Sequence, residues 1–167
     1  MVRKISVISM FSAFAILLCY VETFIPSIGI PGAKLGLANI AVVLALYLLD
    51  AEGAIIVDVV RIVIVGLLFG SLISISFALA GAFVSLTVMI ILKKCFNFSV
   101  ITVSIFGGFF HNVGQVIVAK FLVDNYSILY YLPILLIVGI VTGLIIGILA
   151  KILYERTNVL CNKILKN

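Results

Sequence analysis

Residues 100–122 read VITVSIFGGFFHNVGQVIVAKFL. Almost all of this run is apolar, and at about 1.5 Å per residue it is long enough as a helix to cross the roughly 30 Å hydrocarbon core of a bilayer. His111 falls near the middle. A polar side chain at that depth has no water to reach, so it needs a protein partner or a function. His111 and Gln115 stand one turn apart on one face. Gly108, Asn112, Gln115 and Ala119 form a second stripe, which opens with glycine and so admits a close neighbour. The polar stripe is expected to face protein or a cavity and not lipid.

The rest of the chain has the same character. Of its 167 residues, 65% are hydrophobic and 10% charged, and the mean hydropathy is +1.46, far from the composition of soluble domains. The prediction is an all-α integral membrane protein: a compact bundle of six transmembrane helices at about 5–25, 35–49, 54–69, 71–92, 100–122 and 132–153, with 1–167 forming a single membrane domain. The first run is too long for a signal-peptide core and leads into further spans, so it is expected to be retained. Cys19, Cys95 and Cys161 lack metal-like spacing, which argues against a disulfide framework or zinc site. The net charge of +5 sits at segment ends and not in one patch, so it reports topology in place of nucleic-acid binding.

In the first run Ser9, Ser12, Ala15 and Cys19 make one face of small side chains where another helix can pack closely. PSIGIPGAK at 26–34 rejects a continuous helix and marks a loop or cap. The second run is short for a span unless Lys34 snorkels or the helix lies buried in protein. In the third run Asp58 and Arg61 are three residues apart and able to pair, which offsets a penalty of roughly 2.5 to 3.5 kcal/mol for each mid-membrane charge. Gly66 and Gly70 follow. The fourth run carries close-packing stripes at Ser74, Ala78, Ala82 and at Gly81, Ser85, and the sixth carries a glycine face at Gly139, Gly143 and Gly147. The tail to Asn167 is expected to hold a short interfacial helix.

Six spans put both termini on one side, with Arg3, Lys4, Lys93, Lys94, Lys151, Arg156, Lys163 and Lys166. Lys34 and Lys120 lie at the opposite boundary. By the positive-inside rule both termini are cytoplasmic, and the chain is a multi-pass protein of the cell membrane. Lys34, Asn39, Arg61, His111, Asn112 and Gln115 are then the candidate substrate-binding residues, lining a cavity open to the outside. Their donors suit a polar or anionic ligand. No catalytic set accompanies them: there is one histidine, no Cys/His cluster, no phosphate-cradling glycine loop and no Asp-Asp pair for magnesium diphosphate. A protein that is not an enzyme and needs no metal or cofactor is expected, with any nucleotide hydrolysis supplied by another subunit.

PGAKLGLANI at 31–40, the central Arg61, the Ala80-Gly81 step, HNVGQ at 111–115, and Leu132-Pro133 leading to GIVTG at 139–143 resemble the Gx transporter family over about 26–150. That family is also known as heptaprenyl diphosphate synthase component I. The resemblance implies a small six-helix protein of the bacterial cytoplasmic membrane, similar to substrate-binding S components of energy-coupling factor (ECF) vitamin transporters. It also implies a transmembrane coupling subunit docked on Ser9, Ser12, Ala15 and Cys19, a substrate cap in the extracellular loop 26–34, and two ATPases that drive the cycle. The function expected is uptake of a small polar or anionic solute. The alternative is a non-catalytic membrane component of polyprenyl diphosphate or quinone metabolism. In a third reading the polar residues only bind one another, and neutral replacements of Arg61 or His111 then change stability alone.

Overall fold

The computed structural model describes residues 2–25, 35–123, 130 and 132–166. Among the described residues the regular elements are six helices: α1 (Val2–Thr23), α2 (Asn39–Leu48), α3 (Ala51–Phe69), α4 (Leu72–Phe96), α5 (Val100–Val123) and α6 (Leu132–Lys166). Four of them, α1, α4, α5 and α6, are long and apolar enough to cross a membrane. The chain is a helical membrane protein.

The other two helices position the polar residues. α3 has nearly the length of a span but carries Glu52, Asp58 and Arg61. α2 has ten residues, or about 15 Å, half the depth of a bilayer core. Eight of those ten are buried hydrophobics, from Ile40 to Leu48. They share one core with Phe11 and Ala15 of α1, Val57 of α3, Leu86 of α4, Val103 of α5 and Ile146 of α6. A helix that is apolar all round belongs inside a protein. Burial, the second of the two possibilities for this short run, is the one found.

A helix enclosed by its neighbours leaves backbone N–H and C=O groups at its ends that need partners from the protein. For α2 the neighbouring helices supply partners. At its start the Glu22 carboxylate of α1 accepts the Gly36 N–H at 2.6 Å and the Leu37 N–H at 3.2 Å. At its end Lys93 of α4 donates to the Leu46 carbonyl at 2.5 Å and lies 5.0 Å from the Tyr47 ring centroid. An anion at the N-terminus and a cation at the C-terminus both complement the helix dipole. The helix begins at Asn39, later than the run predicted from 35, because residues 36–38 turn tightly. Gly36 sits there at φ +70°, where any other residue is strained.

These contacts also define two ends of the bundle. At one end Lys4 lies 2.8 Å from both Asp50 and Glu52, the Tyr47 hydroxyl donates to the Phe98 carbonyl, and Tyr47 packs on Tyr154 of α6. At the other, Tyr20 meets Phe69 and Glu22 meets Gly36. Consecutive helices therefore run in opposite directions. α3 starts at Ala51, earlier than 54, because Asp50 caps it by accepting the Gly53 N–H at 2.7 Å. α4 continues past 92 to Phe96, and Asn97 closes it in the left-handed conformation at φ 52°. The separate tail helix is corrected: α6 runs unbroken to Lys166, since no glycine or proline interrupts residues 148–166.

α4, α5 and α6 are held at backbone distance. A Cβ added at Gly114 would stand 2.6 Å from the Ala80 carbonyl of α4, one at Gly143 would stand 2.7 Å from the Ser104 carbonyl of α5, and Gly108 and Gly139 face each other. Ser85 donates to the Gly107 carbonyl at 2.9 Å and Ser104 to the Gly143 carbonyl at 2.8 Å. The glycine face of α6 thus packs within the chain, and the serine hydroxyls tie the seams.

Candidate functional site

Arg61 is the centre of the polar interior. It is on α3 one turn after Asp58, and the two face the same way because three residues make nearly one helical turn. The Arg61 Nε donates to Asp58 Oδ1 at 2.7 Å, and Nη2 lies 2.5 Å from the same oxygen. Asp58 is almost fully enclosed, with 4% of its side chain exposed, and Arg61 retains 12%. Nη2 also donates to Asn39 Oδ1 at 2.8 Å, which draws in the first residue of α2. Nη1 points to the Cys19 thiol of α1 at 3.9 Å. A guanidinium presents five donors in a planar fork, and here the fork joins three helices.

A second polar pair lies on α5. His111 and Gln115 are linked through their Nε2 atoms at 3.3 Å. The histidine fits because α4 offers no side chain opposite: a Cβ at Gly81 would stand 2.9 Å from the imidazole. His111 and Gln115 thus lie in the interior between α5 and α4.

Asn112 does not belong to that interior. Its amide donates to the Leu135 carbonyl at 2.5 Å, across the seam to α6, and a Cβ at Gly139 would press on it. Consecutive residues on a helix point about 100° apart, so His111 faces α4 while Asn112 faces α6. Lys34 and the loop 26–34 lie outside the described residues. Of the small-residue stripe on α1, Ser12 and Ala15 are buried in the bundle and Cys19 turns to Arg61. Only Ser9 is exposed, so in this arrangement the stripe serves packing inside the chain.

Two residues beyond the sequence-derived set hold its members in place. Glu22 anchors the turn that precedes Asn39, and Asp58 supplies the counter-charge of Arg61. The sequence signal for Glu22 is indirect. The amides of the turn at Gly36 and Leu37, just inside the second run, take their acceptor from α1, and no spacing in the sequence encodes that. A shallow pocket on the α5 and α6 side, lined by Val113, Val116, Ile117, Lys120, Phe121 and Leu132, includes none of these residues.

A family model described as heptaprenyl diphosphate synthase component I matches residues 11–153. The chain belongs to that family. No curated protein and no solved structure matches it. The part that matches the heptaprenyl diphosphate synthase component I model holds Cys19, Glu22, Asn39, Asp58, Arg61, His111 and Gln115, and leaves out Lys4 and the last turns of α6.

Proposed function

We infer that this chain is the substrate-binding membrane subunit of an uptake transporter, similar to an ECF S component, and that it takes a small polar or anionic solute. The observation that carries the reading is the guanidinium of Arg61, held inside an apolar bundle by Asp58 and Asn39, with His111 and Gln115 paired on α5. Charges at such depth are costly and mark substrate pathways more often than scaffolding. The chain is read as crossing the membrane six times, with the buried α2 covering about half of the second crossing. Lys4, Lys93 and Lys94 share one end of the bundle with the chain's start, and this end is cytoplasmic in the proposal. The chain is non-catalytic, and a transmembrane coupling subunit with ATPases supplies energy. The family's description as a component supports partner subunits.

The same description favours a second reading, a non-catalytic membrane component that binds a polyprenyl diphosphate. Native mass spectrometry of the gently extracted protein from its own membrane separates the two. A retained polar metabolite, or a coupling subunit with ATPases, is the expected result. A polyprenyl species with a soluble synthase would transfer the assignment to the second reading. An Arg61→Gln variant that stays folded but retains the bound molecule would remove Arg61 from the site in either case.

A further inference from the structure

We propose that the turn between α3 and α4 is a lipid-anchoring tip, seated at the boundary of headgroups and acyl chains with its side chains among the acyl chains. Each of the other connections in the chain has a charged or amide residue: Lys34, Asp50, Asn97, and Asp124 with Asn125. This one has only Gly70 and Ser71, and from Ile62 to Leu92 no residue is charged. Around it Leu67, Leu68, Phe69, Leu72 and Ile73 are each more than half exposed. In water such a tip would be an aggregation-prone patch.

The local hydrogen bonding suits a region poor in water. Ser71 and Ser74 cap each other, the Ser71 N–H donating to Ser74 Oγ at 2.9 Å and the Ser74 N–H to Ser71 Oγ at 3.2 Å. The Gly70 N–H returns to the Gly66 carbonyl. Gly66 leaves room for Ile75, so the two helices close tightly beneath the tip. Depth agrees. From Asp50 to Gly70 the helix rises roughly 30 Å, the thickness of the hydrocarbon core. Tyr20 stands beside Phe69 with ring centroids 5.7 Å apart and packs edge-on against Phe24, an aromatic grouping of the kind that favours the membrane interface. The occupant is therefore lipid and not a protein partner.

The chain contains no tryptophan, so a single introduced indole reports its own surroundings. Phe69→Trp and Leu72→Trp, each at an exposed apolar position, would be placed in phosphatidylcholine nanodiscs with or without bromine on the acyl chains. Phe98→Trp, at the turn that follows Lys93 and Lys94, is the aqueous control. The expected result is blue-shifted emission at 69 and 72, quenched several-fold more by acyl bromine than by iodide, with the reverse order at 98. Iodide quenching that matches or exceeds that of bromine at 69 and 72 would overturn the proposal. Protection from both quenchers would overturn it too, because a second copy or another protein would then cover the tip.

Discussion

The surroundings of α2 and the seam of α5 with α6 hold the same kind of apolar helix by opposite means. α2 is closed from outside itself: charged side chains from α1 and α4 bond the turn before it and its last turn, and Arg61 ties its first residue to α3. Along α5 and α6 the helices satisfy their own backbones, and contact comes from removing side chains at Gly108, Gly139 and Gly143 until carbonyls touch Cα atoms. The first region depends on a few polar groups of high individual value. The second depends on shape. Function is expected where the polar groups are, because only they respond to a solute.

The largest effect should come from Asp58→Ala, which leaves Arg61 enclosed without its counter-charge. About 3 to 5 kcal/mol of stability should be lost, read as a fall in the unfolding midpoint of the detergent-solubilised protein. Replacing both partners together, Asp58→Leu with Arg61→Met, should recover much of that loss while abolishing solute binding. A double variant as unstable as the single one would show that the charges do more than neutralise each other. Gly143→Ala comes next. Its methyl group meets the Ser104 carbonyl and Ile105 Cα, and overpacking of this kind costs about 1 to 3 kcal/mol. An unchanged unfolding midpoint would mean that the seam can open at no cost.

A smaller effect is expected for Glu22→Gln, about 1 kcal/mol, since the amide oxygen still accepts one of the two amides of the turn before α2 but brings no charge to the helix dipole. Its signature is local: hydrogen exchange at Gly36 and Leu37 should speed up while the α5 and α6 amides stay protected. The smallest effect concerns pH. The Asp50 carboxyl is held below the usual carboxylate range by the Lys4 ammonium and then by the Gly53 N–H. Its stabilisation is complete above the unfolded-chain value near pH 4 and fades as the pH falls through the lower folded value. Asp50→Asn should flatten that acid limb of the stability curve, by an amount within the 0 to about 1 kcal/mol of exposed ion pairs.

Much of the candidate site was legible as an inventory and little of it as an arrangement. Arg61 with Asp58 could be read from three-residue spacing, and His111 with Gln115 from four-residue spacing, because neighbours on one helix are fixed by its pitch. Asn39 was selected as a polar residue in an apolar run, but its bond to Arg61 joins two helices, and no spacing encodes that. Asn112 shows the converse. It lies next to His111 in the chain, yet it serves the α6 seam. Ser12 and Ala15 were legible as a close-packing face, but not whether a helix of this chain or of a partner packs there, and they are buried within the chain.

By itself the sequence determined that the chain is a helical membrane protein, where its apolar runs turn, and which polar residues lie deep within them, since composition and helical pitch are local properties. Only the tertiary structure decided that α2 is enclosed, that Glu22 and Lys93 close its ends, and which way each helix is rotated about its axis. The physical reason is the uniformity of the helices. Where every face is apolar, no contrast along the sequence says which one turns inward, and packing against neighbours makes the choice.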